Sequence, residues 1–421
     1  MTPTFGEALR FWLRLGFISF GGPTGQVAIM HTELVERRRW LSEPRFLHAL
    51  NYCMLLPGPE AMQLATYAGW LLHRTAGGLV AGGLFVLPSV AILLGLSWIY
   101  VAFGSVPWIA AMFYGLKPAV LAIVASATIR IGRRTLRHPV LWAVAALAFA
   151  SLFVLRVPFP AVIVGAALVG LVGARLRPDV FRAAGHTGGA ALDSPPPEHT
   201  LPSARRALRV LTVWGALWVG PMAALAAWRG TGDVFFREAV FFSKAALVTF
   251  GGAYAVLPYV AQQAVERHGW LTATQMVDGL GLAETTPGPL IMVLQFVGFL
   301  AGHNQATDLG LPGAVLGALT ATYFTFVPCF LWIFLGAPWI ERSRGNPALA
   351  GALTVITAAV VGVVLNLAAW FGSHVLLPRG VDWFALAVAL AAFAAMQRFR
   401  LDIVPVVLGA AALGLLYRLV P

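Results

Sequence analysis

Long apolar stretches separated by short polar segments recur along the whole chain of 421 residues. Residues 76–104, 208–228, 311–336 and 347–370 are each long enough, as helices, to cross the roughly 30 Å hydrocarbon core of a bilayer. Because lipid offers no partner for backbone polar groups, repeated spans of this length are typical of helices packed in a membrane. The pattern therefore predicts an all-α integral membrane protein.

The composition agrees with this prediction. Hydrophobic residues make up 59% of the chain and charged residues 11%, and the mean hydropathy is +0.79. These values exclude an ordinary soluble globular protein and leave little room for a soluble domain. The net charge of +12 comes from arginines that cluster between apolar segments, most strongly at 37–39, 130–137 and 175–209. Such clusters indicate cytoplasmic loops and not a nucleic-acid partner.

The third basic cluster also divides the chain. It contains Gly188-Gly189 and Pro195-Pro196-Pro197 and has no periodic apolar face, which is typical of a linker. We predict an N-terminal transporter repeat at 1–176, a cytoplasmic linker at 177–206, a transmembrane helix at 207–230 that inverts the second half, and a C-terminal transporter repeat at 231–421.

The two halves are related by an internal duplication. Without gaps, an offset of 230 residues aligns Phe20-Gly21-Gly22 with Phe250-Gly251-Gly252, and Pro57-Gly58-Pro59 with Pro287-Gly288-Pro289. From Phe20 to Pro59, 12 of the 40 aligned positions are identical. Repeats of this kind, in opposite orientations, are a recurrent basis of transporter folds.

Each half contains two apolar stretches that are interrupted near the middle. In the first half these are 5–36, broken at Gly21-Gly22, and 46–72, broken at Pro57-Gly58-Pro59. Full crossings here would place the basic clusters on opposite sides of the membrane, so we predict re-entrant hairpins instead. Segment 207–230 has no counterpart in the first half. We therefore predict two inverted repeats with about nine full spans plus re-entrant hairpins, from up to 13 apolar segments.

The repeated breaks have the chemistry of an anion site. Beyond each break a helix begins with unpaired backbone N–H groups and the positive end of its dipole. Four such helix starts, if they converge, would hold a dianion largely by neutral donors. We expect larger residues at the glycines to impair binding more than folding. The predicted substrate-binding residues are Gly21, Gly22, Pro57, Gly58, Pro59, Gly251, Gly252, Thr285, Thr286, Pro287, Gly288 and Pro289. The alternative is that Gly and Pro mark kinks or close helix packing.

Charged residues in or near the apolar stretches are further candidates, because ionisable groups inside a membrane usually line a pathway. Arg14 and Lys244 align with each other and would supply counter-charge to a bound oxyanion, unless they extend to the membrane surface. Glu60 and Glu284 flank the two Pro-Gly-Pro motifs, and either would bind a coupling proton. Glu60 also suits the dipole of a first helical turn. Lys117 belongs either to the pathway or to the outer surface.

No metal ion or other cofactor is expected. Cys53 and Cys329 lie singly in apolar surroundings, which predicts neither a disulfide nor a thiolate metal site. His48 and Asp278 align with each other but belong to no cluster of metal ligands, so neither is assigned a role.

The motifs also carry a family resemblance. Residues 20–23, 56–60, 250–254 and 281–289 resemble the long-chain, two-domain members of the chromate ion transporter family, and the resemblance covers nearly the full chain. It implies a multi-pass protein of the bacterial inner membrane that exports chromate and confers chromate resistance, with sulfate as a competing or exchanged ion.

Two alternatives accompany this interpretation. Sulfate or another oxyanion would serve as the physiological substrate equally well, because it shares the charge and shape of chromate. A membrane-embedded enzyme would need a convergent nucleophile, base or metal set, and the sequence contains no such set. The expected partners are the anion and the lipid bilayer. A homo-oligomer, the direction of transport and the driving ion are left open.

The predicted topology can be tested by labelling single cysteines in a background that lacks Cys53 and Cys329. We expect an impermeant thiol reagent to label the 302–310 loop and the carboxyl terminus on intact cells, because both are predicted to lie outside. The amino terminus, the linker and the Arg342 loop should be labelled only after permeabilisation. Labelling of the 302–310 loop only after permeabilisation would contradict the inverted arrangement.

Overall fold

A computed structural model describes residues 3–20, 22–177, 180, 198–250, 252–342, 347–378 and 380–419. Regular structure in these residues is helical throughout, and strands are absent from them. The prediction of an all-α, multi-pass membrane protein is confirmed. Gly21, Gly251 and most of the predicted linker lie outside the described residues.

Before the linker, the chain forms a series of helices that end where the sequence pattern breaks. They are α1 (Phe5–Ile18), α2 (Gly22–His31), α3 (Glu43–Cys53), α4 (Glu60–Phe103), α5 (Pro107–Thr135), α6 (Pro139–Phe153) and α7 (Phe159–Leu176). A π-helical turn, Thr32–Arg37, continues α2. Within α4 the backbone is non-helical at His73 and Arg74, at the end of the second predicted hairpin.

The second half repeats this order of broken helices. Its helices are α8 (Ala204–Arg229), α9 (Val234–Val248), α10 (Ala253–Ala261), α11 (Ala273–Thr285), α12 (Val293–Gln305), α13 (Leu311–Gly336), α14 (Pro347–Leu376), α15 (Trp383–Arg398) and α16 (Ile403–Leu419). A π-helical turn, Gln262–Arg267, continues α10, as in the first half. A short 3-10 turn, Leu290–Met292, leads into α12.

Six of the described helices are long and apolar enough to cross a membrane, namely α4, α5, α7, α8, α13 and α14. Three shorter helices, α6, α15 and α16, are also apolar. The exact number of full spans and the re-entrant course of the broken helices stay predictions.

The helices pack into two compact units, and each unit draws on both halves of the duplication. The first unit consists of Met1–Ile92, Ala183–Ala253 and Pro287–Pro347, and the second of Leu93–Arg182, Tyr254–Thr286 and Ala348–Pro421. The predicted repeats, 1–176 and 231–421, describe the sequence duplication, and their boundaries stay a prediction.

Small residues bring helices close together in the first unit. A Cβ atom at Gly317 of α13 would lie 2.2 Å from the carbonyl oxygen of Gly298 in α12, and one at Gly298 would lie 2.5 Å from that of Gly317. Such close approach of backbones is typical of helix pairs in membranes, where van der Waals packing replaces the hydrophobic effect between helices. Phe235 and Phe242 of α9 and Phe296 of α12 are fully buried in the same unit.

The second unit uses the same kind of contact. A Cβ atom at Gly115 of α5 would lie 2.7 Å from the backbone nitrogen of Gly414 in α16. An apolar cluster that includes Ala119, Val388 and Val406 packs around α5, α15 and α16.

Two groups of polar contacts lie in the first unit. Arg229, at the end of α8, bonds both carboxylate oxygens of Asp308 at 2.7 and 3.1 Å, which holds the pKa of Asp308 below its usual range. His199, just before α8, contacts the carbonyl oxygen of Trp70, and His73 contacts that of Pro3. The predicted topology puts the first group outside the membrane and the second group inside, and it stays a prediction.

The glycine contact between α12 and α13 yields a stability prediction. We expect Gly317→Ala to destabilise the detergent-extracted protein by about 1 to 3 kcal/mol, because its Cβ would overlap the backbone of Gly298. The matched control is Gly83→Ala in α4, where a Cβ meets nothing within 4 Å. Thermal unfolding of both variants measures the difference. Equal melting temperatures would contradict close packing at Gly317.

Candidate functional site

The glycine motifs break the helices as predicted. α1 ends at Ile18 and α2 begins at Gly22, while α9 ends at Val248 and α10 begins at Ala253. Gly22 and Gly252 have φ angles of +73° and +98°. These lie in a region that glycine enters without a Cβ clash. Neither position accepts another residue without strain.

The two Pro-Gly-Pro motifs form turns of the same kind. Gly58 and Gly288 have φ angles of +128° and +100°. The N–H of Gly58 donates to the carbonyl oxygen of Thr249 at 2.7 Å, and the N–H of Gly288 donates to that of Ser19 at 2.8 Å. Ser19 and Thr249 align with each other at the offset of 230. The two halves therefore exchange equivalent backbone hydrogen bonds inside the first unit.

Helix starts from all four breaks line one small pocket in the first unit. The start of α2 contributes Pro23 and Gln26, the start of α4 contributes Pro59, Glu60 and Ala61, α10 contributes Ala253, and the turn before α12 contributes Pro289 and Leu290. The space between them is about 10 Å³, room for about one water molecule. The convergence of helix starts that an anion site requires is present.

The pocket has the electrostatic character of a helix start. The first N–H groups of a helix have no partner within that helix, and the helix dipole places partial positive charge at the same end. Pro59 and Pro289 lie directly before the first helical residues, and Pro289 is the N-cap of its turn. Prolines at these positions end the preceding segment without removing a needed donor. The pocket therefore favours negative charge from its backbone.

Two polar side chains also line the pocket, and both come from the first half of the chain. Gln26 is 1% exposed and donates from Nε2 to the carbonyl oxygens of Gly288 at 2.6 Å and Ser19 at 3.3 Å. Its counterpart in the duplication is Val256, and the counterpart of Glu60 is Leu290. Sequence reasoning missed Gln26. A comparison of polar residues in one half with apolar residues in the other would have identified it.

Gly22, Gly58, Gly252 and Gly288 are not among the residues that line the pocket. A Cβ at Gly58 would lie 2.7 Å from Cys329 Sγ, and one at Gly288 would lie 2.7 Å from Ser89 Cβ. A Cβ at Gly252 would lie 3.2 Å from Oε1 of Glu60. At Gly58 and Gly288, both the positive φ and the close neighbouring atoms therefore require glycine. Gly252 lies close to Glu60, which lines the pocket.

Hydrogen bonds between side chains and backbone engage three further residues of the motifs. The carbonyl oxygen of Pro57 accepts a hydrogen bond from Nε2 of Gln63 at 2.8 Å. The hydroxyl groups of Thr285 and Thr286 donate to the carbonyl oxygens of Leu282 and Ala283, one turn back in α11. Both threonines belong to the second unit, and Pro287 begins the next segment of the first.

The two predicted counter-charges lie on exposed faces of their helices. Arg14 of α1 is exposed beside Leu13 and Phe17, and Lys244 of α9 is exposed near Leu247. Neither belongs to the residues that line the pocket. Their part in transport stays a prediction, and their exposure is also what the membrane-surface alternative requires.

Two buried carboxyl groups in the second unit have specific partners. Asp278 of α11 accepts from the Tyr100 hydroxyl at 2.9 Å and lies 3.8 Å from Nζ of Lys117. Glu284, also of α11, accepts a hydrogen bond from the hydroxyl of Tyr254. Asp278 was assigned no role from the sequence, because it belongs to no apparent cluster of metal ligands. Its contacts with Tyr100 and Lys117 were not predicted.

A third buried carboxyl group, Glu238 of α9, was not singled out from the sequence. It is 0% exposed, and neither carboxylate oxygen has a hydrogen-bond partner among the described residues. The described residues also contain no group of three or more His, Cys, Asp or Glu side chains that could hold a metal ion.

Comparison with known proteins identifies relatives over nearly the whole chain. The family model described as chromate transporter matches residues 6–171 and 236–415. The chromate transport protein of Cupriavidus metallidurans is 30% identical, over 98% of this chain and 93% of its own length. That of Pseudomonas aeruginosa is 33% identical, over 98% and 92%. An uncharacterized transporter of Methanocaldococcus jannaschii is 25% identical, over 96% and 92%. No solved structure matches the chain.

The pair of Lys117 and Asp278 yields a prediction that separates an ion pair from two independent residues. Removing one partner leaves the other charge buried alone, so Lys117→Met and Asp278→Asn should each destabilise the protein. We expect the double variant to be more stable than the sum predicts, with a coupling energy of about 1 to 3 kcal/mol. Thermal unfolding in detergent measures the cycle, with exposed Lys244→Met as control. Additive effects would show that the two residues do not interact.

Proposed function

This chain belongs to the chromate transporter family, and from that membership we propose that it exports chromate across the bacterial inner membrane and so confers chromate resistance. The family is one of transporters, which supports transport over catalysis as the activity. The single observation that carries the proposal is the meeting of four helix starts at one pocket.

The pocket is the binding site in this proposal. An oxyanion placed among the helix starts would accept hydrogen bonds from backbone N–H groups while remaining close to four positive dipole ends. Neutral donors of this kind avoid the permanent burial of several arginines in a medium of low dielectric constant. The two Pro-Gly-Pro turns hold these donors in place, because each turn is bonded to the chain before the opposite glycine break.

Transport requires the pocket to enlarge. A space of about 10 Å³ holds about one water molecule, whereas a tetrahedral oxyanion has five heavy atoms. We propose that the helix starts move apart to admit the anion and close again around the empty site. The glycines at Gly22, Gly58, Gly252 and Gly288 would allow this movement, because glycine permits backbone angles closed to other residues.

Charged residues have secondary roles in the proposal. Arg14 and Lys244 would attract the anion, and Lys117 would lie on its pathway. Glu60 lines the pocket, so it is the better placed of the two candidate coupling carboxyls, with Glu284 as the other. Sulfate or another oxyanion, carried alone or by exchange, is the alternative substrate, and self-association into a homo-oligomer stays a prediction.

Uptake by everted membrane vesicles tests the proposed function. Everted vesicles containing the protein should accumulate labelled chromate faster than vesicles without it, and the accumulation should respond to a membrane potential or a pH gradient. The same vesicles tested with labelled sulfate give the relative preference. Equal chromate uptake with and without the protein, at verified protein levels, would reject the proposal.

A substitution at Gly252 tests the position of the site. Gly252→Ala should lower chromate transport about tenfold or more, because the added Cβ would reach Glu60 and crowd the pocket. The control is Gly230→Ala at the end of α8, which has a similar φ of +84° and nothing within 4 Å of an added Cβ. Both variants place a residue with a Cβ atom at a positive φ, so both carry backbone strain of about 1 to 3 kcal/mol. Equal transport by the two variants would place the anion elsewhere.

The charge of Arg14 and Lys244 is tested by comparing two kinds of substitution. Arg14→Lys and Lys244→Arg keep the charge, although donor geometry changes, and should retain more chromate transport than Arg14→Gln and Lys244→Gln. Protein levels in the membrane serve as the control. Parental transport rates in both Gln variants would assign the two cations to the membrane surface.

A further inference from the structure

We propose that the pocket binds its oxyanion in the singly protonated form, with the hydroxyl group of the anion donating a hydrogen bond to Oε1 of Gln26. The inference rests on the proposed function and adds a rule of selectivity to it. An oxyanion that keeps one proton near neutral pH would be accepted, and one that is fully ionised there would be disfavoured.

The orientation of the Gln26 amide supports this rule. Its nitrogen faces two backbone oxygens, at 2.6 Å from Gly288 and 3.3 Å from Ser19. A rotated amide would place oxygen against both of them, so the hydrogen-bond network fixes the assignment. Oε1 is then a buried acceptor with no partner among the described residues. Gln26 also lines the pocket. In the proposal, the hydroxyl group of the bound anion is the donor that satisfies this oxygen.

The second polar side chain of the pocket is the carboxyl group of Glu60. In its ionised form a carboxylate accepts hydrogen bonds and has none to donate. A fully ionised dianion has only acceptor oxygens, so it would leave Gln26 unsatisfied and would repel Glu60 whenever Glu60 is ionised. A singly protonated monoanion carries less charge and brings one O–H donor. Its other oxygens remain free to accept from the helix starts.

The two acceptor side chains of the pocket occur in only one half of the duplication. At the positions equivalent to Gln26 and Glu60 the second half has Val256 and Leu290. The helix starts and turns are repeated in both halves, whereas the two acceptors occur only once. The backbone therefore provides a symmetric anion cradle, and the side chains of the first half add a place for one proton.

A site that requires one proton on the anion would select among oxyanions by their acidity. Near neutral pH, chromate exists both as the dianion and as the singly protonated ion. Hydrogen sulfate and hydrogen selenate are completely ionised at that pH. Selenate is close to chromate in size and charge when both are dianions. The site would thus separate two ions that shape alone does not separate.

The expected size of the preference depends on the unsatisfied acceptor. Leaving a buried acceptor without its partner costs about 1 to 3 kcal/mol, which corresponds to a preference of about fivefold to 150-fold. Of the described residues that line the pocket, Glu60 is the one with a titratable side chain. The Cys53 thiol of α3 interacts electrostatically with Glu60. Any pH dependence must therefore be divided between the anion and Glu60.

Binding of labelled chromate to the purified full-length chain tests the proposal. We expect the affinity, expressed per total chromate, to fall as the pH rises through the second ionisation of chromate and to level off about fivefold to 150-fold lower. Unlabelled selenate should compete at least fivefold less well than unlabelled chromate. The pH dependence should persist in Glu60→Gln, because the proton belongs to the anion. Equal competition by selenate, or loss of the pH dependence in Glu60→Gln, would overturn the proposal.

Two glutamine variants test the role of the Gln26 acceptor. Gln26→Leu should reduce the preference for chromate over selenate by about fivefold or more. Gln63→Leu is the matched control, because Gln63 is equally buried, donates to the Pro57 carbonyl oxygen and has an unpartnered Oε1, yet does not line the pocket. A preference unchanged in Gln26→Leu, or lowered equally in both variants, would overturn the assignment.

These measurements separate the inference from the function on which it rests. If the parental protein neither binds nor transports chromate, the proposed function fails. If it transports chromate but selenate competes as well as chromate does, the function stands and the protonated form of the substrate is rejected. If Gln26→Leu fails to fold, the selenate competition and the pH series on the parental chain still decide the question.

Discussion

The structure depends on how backbone hydrogen bonds are completed where helices are interrupted in an apolar environment. An unpaired N–H or carbonyl group in lipid costs several kcal/mol, so a helix break needs partners from elsewhere in the protein. Gly58 and Gly288 find these partners in Thr249 and Ser19, at equivalent positions of the opposite half. The halves therefore stabilise each other's breaks, and the same exchange brings the helix starts beyond the breaks to one pocket.

The duplication separates scaffold from chemistry. Residues that shape the backbone are repeated, as are the side-chain hydrogen bonds from Ser19 and Thr249 back to their own helices at 2.6 Å. Three buried or pocket-lining polar side chains are not repeated. Gln26, Glu60 and Glu238 align with the apolar residues Val256, Leu290 and Ala8. A repeated backbone can therefore bind a symmetric ion, while polar side chains from one half distinguish one of its oxygens from the others.

Glycines serve two different purposes in the first unit, close helix packing and conformational freedom at turns. Helices that touch through backbone atoms, as α12 and α13 do at Gly298 and Gly317, have little freedom to shift against each other. The turns that border the pocket use glycine for conformational freedom instead. Rigid helix pairs beside flexible turns would confine movement to the helix starts, where the proposed site lies.

Much of the fold is determined by sequence, because its causes are local. Apolar length predicts spanning helices, Gly and Pro predict their breaks, and the offset of 230 identifies equivalent positions without any structure. The donor chemistry of the breaks is equally local. The sequence also indicated that four helix starts would have to meet if they were to hold an anion.

Only the tertiary structure decided which side chains accompany those helix starts. Gln26 lies 262 residues from Gly288, and Lys117 lies far along the chain from Asp278, so their contacts depend on packing and not on periodicity. Packing also placed Arg14 and Lys244 on exposed faces and turned the hydroxyls of Thr285 and Thr286 onto their own helix. The physical reason is that backbone breaks are encoded by the residues at the break, whereas the partner of a side chain depends on how distant helices pack.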